Sequence, residues 1–306
     1  MRILITGGTG FIGAPLSRRL AEKGHEVVVL SMKNEKISPD LSDYISYVPY
    51  DYGISSQLPP AFLSAFDAVV NLAGEPIFSG RWTREKKRDI LSSRLYITRQ
   101  IVNGLENIND QKTRTLVNAS AVGYYGPTGS EKIDETAEPG DDFLANVCRR
   151  WEMEAKRAEE SGVRTVLIRT GIVLGKDGGA LLEMAKPYKF FLGGPIGPGD
   201  QYLSWIHLDD IVNLYIFALE NPDMKGPYNA TASNPVTMNE FSRVLGKVLD
   251  KPSAVRAPDF ALQLLLGETA TIITTGQRVI PARLSETEFT FKHTLIYPAL
   301  KDIFEK

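Results

Sequence analysis

The chain is poor in residues that mark several whole classes of protein. One cysteine, Cys148, occurs in 306 residues. That rules out an internal disulfide and suits a reducing compartment. There are only three histidines. Of these, His25 and His293 stand alone with no metal-ligand spacing around them, so no metal is expected. No apolar run approaches the roughly 18 residues of a spanning helix. The N-terminus enters a strand directly, so no secretory signal is expected and the cytoplasm is the expected location. A formal net charge of −2 gives no electrostatic case for nucleic acid or a membrane surface, which leaves a small molecule as the expected partner. The oligomeric state, monomer or homodimer, stays open. Internal repeats and low-complexity tracts are also missing.

What is present begins at residue 2. Arg2-Ile3-Leu4-Ile5-Thr6-Gly7-Gly8-Thr9-Gly10-Phe11-Ile12-Gly13 is an apolar run leading into glycines spaced G-x-x-G-x-x-G, with an amphipathic stretch after it. This reads as strand, tight turn and helix start. Glycine is wanted there for positive φ and for close approach of a phosphate to the backbone. The N–H groups and positive dipole end of the helix then favour a pyrophosphate, so the expected ligand is a dinucleotide held by Gly7, Thr9, Gly10, Phe11, Ile12 and Gly13.

Strands and helices alternate after that turn. Strands are predicted at Arg2–Thr6, Glu26–Leu30, Ile45–Tyr50, Ala68–Ala73, Thr115–Ala119 and Arg164–Arg169. Helices are predicted at Ala14–Lys23, near Arg84–Glu106, and at Phe143–Ser161. Near-continuous apolar strands with crossover helices imply a Rossmann-type, doubly wound parallel sheet, an α/β fold. After Gly171 the rhythm changes. Gly193–Gly199 is a loop, Leu208–Leu219 and Thr237–Leu249 are helical, Phe260–Leu266 is helical, and Pro281–Ser285 starts a short helix. The expected division is a dinucleotide-binding domain over 1–170, completed by parts of 203–231. Residues 171–202 and 232–306 form a smaller C-terminal α+β substrate lobe.

The second strand ends at Leu30-Ser31-Met32-Lys33. An acid there would bond a ribose 2′-OH; a hydroxyl and a cation suit a 2′-phosphate, so NADP(H) is expected over NAD. Asp51, after the third strand, is a candidate for the adenine end or an ordinary turn residue. Leu72, Ala73 and Gly74 end the fourth strand, where small residues let the backbone approach the ribose and pyrophosphate.

A carbonyl–alcohol dehydrogenase of this type uses a Tyr phenolate whose pKa is lowered by a Lys one helical turn on. The only Y-x-x-x-K here is Tyr297–Lys301, after all the sheet elements and with Pro298 inside it. On the helix that should carry the pair, Leu144 (or Phe143) takes the Tyr place and Cys148 the Lys place. Ser120, leaving the fifth strand, is a candidate to bond a substrate oxygen or the nicotinamide ribose. Tyr124 or Tyr125 is a candidate to replace the phenol, and packing is the competing role. Cys148 is either a thiol acid/base or a small buried hydrophobe.

Together these motifs resemble atypical extended short-chain dehydrogenases/reductases of the "NAD-dependent epimerase/dehydratase" (nucleoside-diphosphate-sugar epimerase-like) group, which carry a C-terminal domain of unknown function, here at about 250–300. The resemblance rests on Gly7–Gly13, Leu72–Ile77 with Gly80–Thr83, Ser92–Arg94, Ser120–Gly126, Val147–Glu152, Arg169–Gly175 and Trp205–Asp210, and it spans the chain. In that group Cys takes the Lys place, Arg the Asn place, and the Ser is kept. This implies Cys148, Arg94 and Ser120 as catalytic candidates, beside Tyr124 from the reading of the residues. It also implies Ile172 near the nicotinamide, Gly193–Gln201 and Trp205 on the substrate side, and a structural His207 at a strand-to-helix junction. Glu75, Arg81 and Lys86 are candidates for substrate or phosphate contact. Two functions stay open: an NADP-dependent oxidoreductase or epimerase on a small polar, possibly sugar-derived, substrate, or an NADPH-binding sensor or scaffold with little or no catalysis.

Overall fold

The computed structural model describes residues 1–31, 43–51, 58–78, 80–108 and 114–305. Its first half runs β1 (Arg2–Thr6), α1 (Gly13–Glu22), β2 (Glu26–Ser31), β3 (Ile45–Pro49), α2 (Pro60–Leu63), β4 (Ala68–Asn71), α3 (Arg84–Glu106), β5 (Thr115–Ala121), β6 (Lys132–Ile133) and α4 (Phe143–Lys156). Its second half runs β7 (Arg164–Thr170), β8 (Ile172–Leu174), α5 (Gly179–Lys189), β9 (Tyr202–Leu203), β10 (Trp205–His207), α6 (Leu208–Glu220), β11 (Gly226–Ala230), β12 (Val236–Thr237), α7 (Met238–Val248), α8 (Asp259–Leu266), α9 (Thr271–Thr274), β13 (Arg278–Val279) and α10 (Ile296–Glu305).

Seven strands form one parallel sheet in the order β11-β7-β5-β4-β1-β2-β3. The apolar runs are continuous because both sheet faces are covered. Ile3 and Ile5 pack with Leu16 and Leu20 of α1 and with Ile211 and Tyr215 of α6. Leu4, pointing the other way, packs with Ile97 and Ile101 of α3 and Ala155 of α4. The chain steps outward from β1 through β2 to β3, then returns to place β4 on the other side of β1. That reversal opens a crevice at the C-terminal ends of β1 and β4, where ligands bind in such sheets.

A second core joins Leu181 and Tyr188 of α5, Trp205, Phe241 and Leu245 of α7, and Leu300 and Ile303 of α10. Three short strand pairs, β8 with β10, β9 with β12 and β6 with β13, lie outside the main sheet. The β6–β13 pair ties the middle of the chain to its last part through Ile133 and Val279.

The structure adds elements that the residue pattern hid. Strand β11 begins Gly226-Pro227, which reads as a turn. Helix α5 carries Pro187 in its last turn, where the missing N–H breaks a bond but leaves the preceding turns intact. The short helix expected at Pro281–Ser285 is a 3₁₀ turn at Arg283–Glu286.

Candidate functional site

The turn after β1 is shaped by close backbone contact. Gly7 has φ +69°, and a Cβ on it would lie 2.8 Å from the carbonyl carbon of Leu72, just past β4. A Cβ on Gly13 would lie 2.1 Å from the Gly7 carbonyl oxygen. Gly10 N–H donates to that same carbonyl at 3.0 Å, closing the turn. The first turn of α1 contains no acid to oppose a phosphate. Thr9 and Gly10 are exposed, Phe11 and Ile12 half-buried. A cradle that any side chain would fill, at a helix N-terminus free of negative charge, fits a dinucleotide pyrophosphate.

The register Thr6↔Leu30 sets Ser31 level with this turn, buried at the end of β2. Lys33 lies outside the described residues. Asp51 is exposed just after β3. Beside the turn, Thr6 Oγ1 donates to Asn71 Oδ1 at 2.6 Å, and Asn71 Nδ2 donates to Asn118 Oδ1 at 2.6 Å and to Thr98 Oγ1 at 2.9 Å. This buried chain locks β1, β4, β5 and α3 together beneath Leu72, Ala73 and Gly74.

Next to the turn lies a cavity of about 550 Å³, in the usual size range for a small-molecule site. Phe11, Arg94, Ser120, Cys148 and Ile172 all line it. Most of the rest is apolar, including Ile77, Trp82, Val122, Phe143, Val147 and Trp151. The segment from Glu268 to Gln277 supplies the remaining wall. Phe11 joins turn and cavity, because its ring is seated where Gly175, Gly178 and Gly179 leave room. A Cβ on any of these would come within 2.9 Å of the ring.

Ser120 Oγ donates to Glu152 Oε1 at 2.7 Å. Glu152 in turn receives Arg169 at both oxygens, at 2.8 and 2.9 Å. Burial works against the Arg169 charge, but the hydrogen bonds and charge of Glu152 outweigh it and push the guanidinium up. Arg169 Nη1 also donates to Tyr125 Oη at 2.9 Å, and Tyr125 Oη donates to Asn229 at 2.7 Å. Burial pushes Tyr125 up to about 12. Tyr124 lies with its ring 3.5 Å from the Arg169 guanidinium carbon and is not on the cavity wall. Burial raises its phenol as well. Both tyrosines thus serve Arg169. Sequence reading did not assign the Glu152–Arg169 pair. Both residues stand in quoted motifs, but nothing local shows that helix α4 and strand β7 face each other there.

Burial pushes the Cys148 thiol up to about 12, and the nearby Glu152 adds to the effect. The chain's single thiol should therefore be inert when folded. At pH 8, iodoacetamide should alkylate native protein about 1000-fold more slowly than denatured protein, followed by intact mass. The sign for stability follows: above roughly pH 8.5 the unfolded chain sheds this proton while the fold retains it, so the contribution falls as pH rises.

The structure places other candidates elsewhere. Trp205 is wholly buried in the second core, its indole N–H on the Asn234 carbonyl, and does not line the cavity. The Gly193–Gln201 loop is also absent from that wall. It is tied down by Gln201 to the carbonyls of Ile196 and Ile273, and by Arg256 to that of Gly197. The Glu75 carboxylate pairs with Lys86, and Arg81 donates to the Leu264 carbonyl. His207 caps α6, its Nδ1 accepting from Asp209 N–H at 3.0 Å. His293, isolated in the sequence, stacks on His207 with centroids 3.8 Å apart and planes 24° apart. Among the described residues, His207, Asp209 and His293 offer ligand atoms within 4.8 Å of one another.

A doubly wound sheet, a glycine cradle at its switch point and an adjoining cavity define a Rossmann-type dinucleotide-binding protein. A model of the NAD dependent epimerase/dehydratase family matches residues 3–231, and a domain of unknown function, DUF1731, matches residues 257–303. The chain belongs to the NAD dependent epimerase/dehydratase family. It is 44% identical to the chloroplastic epimerase family protein SDR39U1 homolog of Arabidopsis thaliana, over 100% of this chain and 87% of that protein. It is 38% identical to epimerase family protein YfhF of Bacillus subtilis, over 99% and 98% of the two chains. A crystal structure of human epimerase family protein SDR39U1 with NADPH superposes with a TM-score of 0.89 at 34% identity, covering 100% of this chain and 99% of that one.

Proposed function

We propose that this protein binds NADP(H) and is an oxidoreductase or epimerase acting on a small molecule held in the cavity beside the turn. The observation that carries the reading is the shared wall: Phe11, from the dinucleotide turn, also lines the cavity. The human relative solved with NADPH supports the choice of cofactor. Gly7–Gly13 would hold its pyrophosphate, Ser31 and Lys33 the adenosine ribose and its 2′-phosphate, and Ile172 would border the nicotinamide. When bound, that cofactor supplies reversible hydride exchange.

The protein's own part is to hold the substrate and orient its reacting oxygen. The apolar wall excludes water. A substrate oxygen would hydrogen-bond to Ser120 Oγ, which is held in place by donating to Glu152 at 2.7 Å while Glu152 keeps its ion pair with Arg169. Cys148 stays protonated and fills space where a charged lysine would otherwise stand.

A second reading, an NADPH-binding sensor or scaffold, is favoured by the absence of the Tyr/Lys pair and by the raised Cys148 and Tyr125. Turnover separates the two. NADPH consumption followed by absorbance against a panel of carbonyl compounds and nucleotide sugars is expected for the enzyme, with loss in Ser120→Ala. Turnover unchanged by Ser120→Ala would sink the assignment of Ser120, and its absence across the panel would favour the sensor.

The cofactor choice has its own test. Calorimetry should show Ser31→Asp and Lys33→Ala each weakening NADPH by about tenfold while leaving NADH much less affected. Equal loss for both nucleotides would remove the 2′-phosphate role. No helix among the described residues is long and apolar enough to cross a membrane. A single cysteine suits a reducing compartment.

A further inference from the structure

We infer that the cavity accepts a substrate with a carboxylate on an apolar body, and that Arg94 is the anchor for that carboxylate. The inference rests on the functional reading above and narrows its substrate class. Arg94 projects from α3 into the cavity wall. Its Nη1 donates to the backbone carbonyls of Glu75 and Ile90 at 3.0 and 2.9 Å, which fixes the plane of the fork. Nε and Nη2 make no protein hydrogen bond among the described residues, and neither is sealed away as a buried orphan. They stay available as donors on a residue that lines the cavity.

Every acid close to this wall already has a partner. Glu75 pairs with Lys86, Glu152 with Arg169, and Glu268 with Lys87. Asp142 caps α4 through the Ala145 N–H. No carboxylate among the described residues comes within 4 Å of Arg94. Burial holds the Arg94 guanidinium below its ordinary value, and the Glu75 charge opposes this only from a distance, so a carboxylate brought in contact would compensate the cation.

Two features keep Arg94 in place. Gly74 makes room for it, since a Cβ there would lie 3.1 Å from its Cγ and Cζ. The Trp151 ring, 5.2 Å from the guanidinium carbon, gives it a flat support. Two free donors in one plane match the two oxygens of a carboxylate. A phosphate or diphosphate would need further cations, and the nearby Lys86 and Lys87 are already paired. Elsewhere the wall is predominantly apolar, with Trp82, Phe143 and Val147 among its side chains. The chemistry therefore favours an aromatic or aliphatic acid over a nucleotide sugar.

The test uses full-length protein and paired probes of one shape, phenylacetate against phenylacetamide and cinnamate against cinnamamide. Binding is measured by calorimetry with and without saturating NADPH. The expected result is at least tenfold tighter binding of each acid than of its amide. The preference should disappear in Arg94→Met and be reduced in Arg94→Lys, which keeps the charge and loses the fork. Circular dichroism checks that each variant is folded; should Arg94→Met not fold, Arg94→Lys and the native acid–amide comparison decide the matter. Equal binding of acid and amide, no binding of either, or a preference that survives in a folded Arg94→Met overturns the inference. Failure of NADPH to bind would instead overturn the oxidoreductase reading, and the arm without NADPH would still decide the role of Arg94.

Discussion

Replacing Gly13 with alanine should abolish measurable NADPH uptake and cost roughly 3 kcal/mol of stability. The added methyl would sit 2.1 Å from the Gly7 carbonyl oxygen and 2.7 Å from the Gly8 Cα. Both are backbone atoms, so no side chain can rotate away. Either the turn opens or α1 withdraws, and both movements take the helix N–H groups from the position a pyrophosphate needs. Gly24→Ala is the control. Gly24 has φ +81° with nothing within 4 Å of the added carbon, so only conformational strain of about 1 kcal/mol is expected, with NADPH uptake kept. Calorimetry with NADPH and denaturant unfolding measure the two effects. Uptake by Gly13→Ala close to that of the native protein would mean that the cofactor does not sit at this turn.

The second large effect is expected at Glu152. Glu152→Leu should destabilise the protein by about 3–5 kcal/mol, because it strands the buried Arg169 guanidinium. Arg169 is 3% exposed and Glu152 2%, so water cannot replace the lost partner. The same change frees the Ser120 hydroxyl and loosens the hold of Arg169 on Tyr125 and Tyr124. Arg169→Met should cost a similar amount. The double variant should be markedly less damaged than the sum of the two, since neither charge is then left alone. Urea unfolding of all four proteins closes the cycle. Additive losses, or a single loss below about 1 kcal/mol, would show that the pair is not energetically coupled as its geometry requires.

Much of the fold was legible because its signals are local. The glycines at 7, 10 and 13, flanked by Ile3–Ile5 and by the Leu16–Leu20 face, announce strand, turn and helix within two dozen residues. The inner strands β2, β4, β5 and β7 read as apolar runs because both faces of the sheet are covered there. Elements that break a local rule were not legible. Gly226-Pro227 hides β11, and Pro187 hides the end of α5. Helix α10, whose Pro298 stands near its start, is held by packing against α7 and the second core. The candidate site divides the same way. Ser120, Cys148 and Arg94 could be named from motif positions, and the structure brings them to one cavity. The Glu152–Arg169 pair is formed across a helix–sheet contact that has no sequence spacing. Ile272 and Gln277 reach the wall through the path of the last segment, whose motifs mark a domain of unknown function and carry no chemistry that points to a cavity.

The pairing of β13 with β6 also sets a schedule for synthesis. The N-terminal strands can pair as they emerge, in keeping with folding that proceeds from that end. The cavity cannot close then, because part of its rim is translated last. Val122 and Ile133 must wait for Val279 before their apolar surface is covered. The nascent protein therefore passes through an interval with a formed sheet and an open greasy flank, and its hand-over from ribosome to solvent is the moment of greatest exposure to wrong partners.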